Sequence, residues 1–210
     1  MPRPALPEPT RTGVAALALA AGLCAAVPAL AMESVYTRVS ISAACAGIAS
    51  HRVGGTWSCP GHAGYGVLVS EGDLRMSVFY GYVGAWYGEG AWESFGPFNA
   101  IGETVEWRIA DGVPRAAILR WFIDNMNPET GAPDPAIRGQ VLVISRVAQP
   151  GEGKGCVVGY VDARANADAN ALARQVGDDL AGSFVCRQDE PSYHGAVGPT
   201  AAEPVRAFGQ

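Results

Sequence analysis

His51, His62 and His194 are the chain's only histidines, the side chains whose ordinary pKa lies nearest neutrality. Any of them would act as a general base only beside an orienting carboxylate, and none stands in such a motif. Glu71 and Asp73 flank Gly72, and two neighbouring carboxylates are what acid–base hydrolysis requires. A hairpin tip holds the same residues at no cost, and that is the reading the flanking strands favour. Asp162, Asn166, Asp168 and Asn170 imitate the alternating oxygen ligands of a calcium loop. Placing Asn166 at the first ligand puts Ala171 where the loop needs glycine and Gly177 where it needs a bidentate glutamate, so these residues read as helix capping. A nucleophile elbow, a zinc-protease helix, a P-loop and a dinucleotide fingerprint are all missing. No catalytic residue, metal ligand or cofactor is assigned.

The residues best suited to recognition are aromatic. Tyr80, Tyr82, Trp86, Tyr87, Trp92, Phe95 and Phe98 follow one another among glycines. Tyrosine and tryptophan on a loop can stack on a sugar ring or anchor a partner, and Tyr82, Trp86, Tyr87 and Trp92 are the candidate contacts. Large apolar rings more commonly fold back over an open sheet face, which is the competing expectation for this loop.

The elements that must hold such a loop are mostly strands. Residues 64–70 alternate with Tyr65, Val67 and Val69 on one face. Residues 74–80 do the same with Leu74, Met76, Val78 and Tyr80, and Glu71-Gly72-Asp73 connects the two as a hairpin. Val105, Trp107 and Ile109 form one arm of a second hairpin, turning at Asp111-Gly112. The returning arm, residues 116–124, is apolar on both sides, as a central strand covered on both faces would be. Further strands are expected at residues 35–41, 140–147 and 155–161. One helix follows: Leu172, Val176 and Leu180 share a stripe with Ala169 and Ala173, after an N-cap at Asn166 and before a stop at Gly182. The predicted fold class is α+β, an antiparallel sheet of hairpins packed with one C-terminal helix; a mainly-β sandwich or barrel with an appended helix is the alternative.

Arg3 and Arg11, the apolar residues 14–27 and Ala29-Leu30-Ala31 compose a secretory signal peptide cleaved before Met32. Its apolar run is shorter than the roughly 20 residues of a spanning helix, so no membrane span is expected in the mature chain. The expected organisation is a signal peptide at 1–31, a disulfide-bonded domain at 32–188 and a disordered tail at 189–210. The formal charge of −5 becomes −6 when Arg3, Arg11 and Glu8 are removed, which disfavours nucleic acid as a partner. After cleavage four cysteines remain, an even number in an exported chain, and three pairings are open. Cys45 with Cys59 and Cys156 with Cys186 is the preferred set, because one closes a short loop beside the first hairpin and the other ties a strand to the chain after the helix.

Trp57-Ser58-Cys59-Pro60-Gly61, Gly64-Tyr65-Gly66-Val67, Glu71-Gly72-Asp73-Leu74-Arg75, Val105-Glu106-Trp107-Arg108 and Asp168-Ala169-Asn170 stand in this order. In these segments the chain resembles a group of small exported bacterial proteins of unknown function, over the stretch from Val35 to Cys186. The resemblance implies export and carries no activity, site or cofactor. The sequence therefore favours a periplasmic or secreted, non-catalytic interaction protein whose partner is an envelope protein or a glycan. The alternatives are a glycan or small-ligand binder using residues 80–98, and a hydrolase with an unrecognised site.

Overall fold

The computed structural model describes residues 1–2 and 32–208. The expected signal peptide and its cleavage site fall on residues outside that description. The described chain is rich in strand: β1 (Glu33–Arg38), β2 (Ala46–His51), β3 (Gly54–His62), β4 (Tyr65–Gly72), β5 (Arg75–Tyr80), β6 (Trp92–Phe95), β7 (Asn99–Ala110), β8 (Val113–Ile123), β9 (Gly139–Arg146), β10 (Val157–Asp162), β11 (Ser192–Tyr193) and β12 (Pro204–Ala207). Single helical turns α1 (Ile41–Ala44) and α2 (Gly84–Gly88) interrupt them, and α3 (Ala169–Leu180) is the one long helix. The coarse expectation of hairpin sheets with a C-terminal helix holds, but the strands divide among several sheets and close no barrel.

A four-stranded meander, β2-β3-β4-β5, faces a six-stranded sheet ordered β1-β7-β8-β9-β10-β11. Strand periodicity explains the layers. On β8, Ala117, Leu119, Trp121 and Ile123 enter the core shared with Val67, Val69, Met76 and Val78, while Ile118 turns to the opposite face beneath α3. The two-sided apolar pattern of residues 116–124 thus marks a central strand, between β7 and β9. Trp107 is fully buried at the centre; its indole Nε1 donates to Thr37 Oγ1 at 2.8 Å and its ring meets Tyr80 edge-on. Burial holds the Tyr80 phenol far above its ordinary pKa. Phe95 of β6 packs edge-on against both Trp121 and Tyr160.

Helix α3 lies on the outer face of the six-stranded sheet through Ala169, Ala173, Val176 and Gly177. Leu172 and Leu180, expected within the stripe, flank that row and are half-buried. A Cβ at Gly177 would stand 3.3 Å from Ala116 and Ile144, so the helix approaches as closely as a bare backbone allows. Asp178 forms two hydrogen bonds to Arg108 of β7, at 2.7 and 2.6 Å, and Arg174 reaches Glu106 at 2.6 Å. The helix begins two residues later than an Asn166 cap would place it: Asp168 is the N-cap, without a capping side-chain bond.

Asn166 serves a different purpose, which overturns the expectation of a disordered tail at 189–210. Its amide bonds both the N–H and the carbonyl of Ala196, and Asp162, fully buried, accepts from the Gly198 N–H at 2.8 Å. Held in this way, residues 189–208 add β11 to β10 and β12 to β6. Of the oxygen-rich positions that imitate a calcium loop, Asp162 and Asn166 are spent on the backbone of the C-terminal segment, and Asn170 accepts from Arg120.

Both expected disulfides, Cys45–Cys59 and Cys156–Cys186, are formed, and they fit an oxidising, non-cytoplasmic environment. The first hairpin differs in register from expectation. Gly72 pairs with Arg75, so the turn consists of Asp73 and Leu74 alone, both at positive φ (52° and 62°). Leu74 leaves the strand face assigned to it and stands in the turn.

Candidate functional site

Local chemistry decides where the aromatic segment goes. Gly81 has φ +87°, and a Cβ there would lie 2.2 Å from the Ala148 carbonyl oxygen, so only glycine permits the chain to leave β5 here. Tyr82 N–H then donates to Ala148 O at 3.1 Å, and α2 follows at once. The helical turn is pegged by Trp86, which is 3% exposed and packs in a cluster with Phe79, Val83 and the Cys156–Cys186 bridge. The Arg187 guanidinium lies 4.6 Å from its ring centroid, and Phe208 is adjacent at 5.3 Å.

Trp86 is thereby corrected from candidate contact to anchor. Burying it leaves Tyr87 of the same turn and Tyr82 just before it, each 45% exposed, towards solvent. Trp92 is half-buried, its ring lying over Gly72 of β4. Three of the four candidate aromatics therefore gather along the outer face of the four-stranded sheet.

Two hollows occupy that face. One, of about 280 Å³, is lined by Ile48, Ser58, Leu68, Tyr82 and Tyr87. The other, of about 220 Å³, is lined by Thr56, Leu68, Ser70, Tyr87 and Trp92, with His51 and Glu71 at its margin. Leu68 and Tyr87 belong to both, so the hollows form one trough with an aromatic partition. Its floor is partly polar, because alternate residues of β3 and β4 present Ser58, Thr56 and Ser70 outward; the Thr56 and Ser70 hydroxyls are paired at 3.1 Å. Tyr82 is supported edge-on by Tyr65, whose own hydroxyl donates to Gln149 at 2.9 Å. A larger cleft, of about 490 Å³, opens at the Leu74 end of β5.

The remaining sequence candidates do not converge. His51 stands at the exposed end of β2, His62 lies 6.5 Å from the Trp107 ring, and His194 follows β11 with Nε2 buried near Gly159. Glu71 shares a hollow with His51, yet its hydrogen bond is to the Leu74 N–H, at 3.1 Å. Asp73 is paired with Arg75. The carboxylate whose pKa is most displaced is Glu93, which no sequence motif marks. Burial pushes it up to about 7, against the opposing pull of the Val157 N–H and of Arg206. At 2% exposed it touches no open surface, so its role is to hold β12 rather than to act on a substrate. Among the described residues no group of three His, Cys, Asp or Glu side chains is placed to hold a metal, and no helix is long and apolar enough to cross a membrane. The chain matches no protein-family model, no curated protein and no solved structure.

Proposed function

We propose that the protein is a non-catalytic binding protein of an oxidising, extracytoplasmic compartment, and that it holds an oligosaccharide in the trough beneath Tyr82, Tyr87 and Trp92. The observation that carries this reading is the partition of labour within residues 82–87. Trp86 of α2 is buried to fix the backbone, and Tyr82 before the helical turn and Tyr87 within it are presented to solvent. Aromatic faces suit the apolar C–H faces of pyranose rings, and hydroxyls at Ser58, Thr56 and Ser70 suit their polar edges. Glu71 borders the trough and shares the β4 face of Val67 and Val69, towards the larger cleft. It caps the Leu74 amide and does not orient His51, so the trough gathers binding groups around no activated base.

The experiment is a calorimetric titration with neutral tetra- to hexasaccharides, comparing the native chain with a Tyr82→Ser/Tyr87→Ser double variant. Saturable binding by the native chain, lost in a variant that melts unchanged, is the expected result. Equal binding by both, or none by either, removes the reading.

A protein partner is the second reading, and one observation favours it. All six residues of β2 are exposed, and β2 is the outer strand of its sheet. Such an edge accepts an added strand from another chain. Substituting Ala49→Pro, at a β2 position that lines neither hollow, would block this mode and leave the trough's lining in place; retention of an envelope partner by that variant refutes it.

A further inference from the structure

The 490 Å³ cleft meets the trough only at Glu71 and lies between the two sheets, where β4 turns into β5 and where β7 begins. Ile41, Trp57, Leu74, Met76 and Phe98 give it apolar walls, and its volume is that of a site for a small organic molecule. The turn at its mouth carries a second, independent sign. Among the described residues, three hairpin turns have both central residues at positive φ. Ala63-Gly64 and Asp111-Gly112 place glycine second, as this turn type favours, but the third places Leu74 there. Leu74 is 60% exposed in a conformation that suits glycine or asparagine. A strained, exposed leucine at the mouth of an apolar cleft is kept where its side chain has something to meet.

Charge identifies what it meets. Two carboxylates line the cleft, and Asp124 is already paired with Arg138, as Asp73 in the turn is with Arg75. Glu71 lines the cleft with no ion pair among the described residues, and its hydrogen bond to the Leu74 amide holds the carboxylate at the entrance. We propose that the cleft binds a small cationic amphiphile, an apolar chain or ring seated on Trp57, Met76 and Phe98 under Leu74, with one ammonium group at Glu71.

The test uses dodecyltrimethylammonium and dodecanoate, which share a chain and differ in the sign of the head, below their micelle-forming concentrations. Binding is followed by calorimetry and by tryptophan emission. The cation is expected to bind at a single saturable site about tenfold more tightly than the anion, the scale of one charge-assisted contact. Glu71→Gln should abolish that preference, and Leu74→Gly should weaken both ligands while raising the melting temperature, because glycine relieves the positive φ. Tyr87→Ser, in the trough, should alter neither. Equal affinity for the two heads, a preference that survives Glu71→Gln, or undiminished binding in a stabilised Leu74→Gly overturns the proposal.

Discussion

Glu93 offers a test of how the C-terminal strand is held. Its Oε2 accepts from the Val157 N–H at 2.8 Å, and its Oε1 accepts from Arg206 Nε at 3.0 Å, directly across the β6–β12 pair. Arg206 continues to Glu190 at 2.8 Å, and the Tyr160 phenol is held above its ordinary pKa by burial first and by nearby Glu93 second. Burial lifts the Glu93 carboxyl from 4.5 to about 7. In the unfolded chain the same group loses its proton near the ordinary value. Between these limits the folded state binds more protons than the unfolded state, so stability falls as pH rises. The contribution is complete below about pH 4.5, and it is lost as pH passes through about 7. Each unit is worth about 1.4 kcal/mol, and the whole window about 3 kcal/mol. Urea unfolding of the native chain and of Glu93→Gln, from about pH 4.5 to about pH 8, isolates this effect, because every other titrating group is common to both. The native chain is expected to lose about 3 kcal/mol relative to the variant as pH rises. A difference that is flat, or that grows in favour of the native chain with pH, refutes the reasoning.

Trp86→Ala should cost about 3–5 kcal/mol in chemical unfolding, as for a large buried aromatic, whereas Tyr87→Ser should stay within about 1 kcal/mol; similar losses for the two would mean that the turn is pegged by Tyr87 as well. Gly177→Val should cost about 1–3 kcal/mol by lifting α3 off Ala116 and Ile144, and an unchanged melting temperature would show that the helix has slack there.

The parts of the fold legible in the sequence were those fixed by local pattern. The alternation of β4, β5 and β8 marks strands, the Asp111-Gly112 turn marks its hairpin, and the spacing of Cys45 and Cys59 suits a short loop. What escaped depends on residues far apart in the chain. Nothing near Ala196 or Gly198 shows that Asn166 and Asp162 will bind their backbones, and nothing near Arg206 shows that Glu93 waits across the sheet. Leu74 was misplaced because an apolar residue before an alternating run reads as part of it, and positive φ leaves no trace in hydrophobicity. Within the candidate site, the sequence singled out Tyr82, Trp86, Tyr87 and Trp92 but could not tell presented rings from packed ones. That distinction is set by Arg187 and Phe208, which arrive from the C-terminal part of the chain. The trough's hydroxyls had no motif at all; the alternation of β3 and β4, read for its polar positions, would have found Thr56, Ser58 and Ser70.

The disulfides have a consequence for how the molecule can deform. Cys45–Cys59 closes within the four-stranded layer, and Cys156–Cys186 joins β10 to the chain beyond α3, so neither crosses the space between the two sheets. Among the described residues, the main-chain hydrogen bonds that do cross it lie at the two ends of β5: Asn99 N–H to Leu74 O at one, and the exchange of Ala148 with Tyr80 and Tyr82 at the other. The two sheets therefore resemble the covers of a book bound along β5, with β2 on the free margin. Oxidation stiffens each cover and leaves the binding to hydrogen bonds and packing. The strand along which the covers are bound carries Leu74 beside one end and the start of the aromatic segment at the other, so the cleft and the trough both border it.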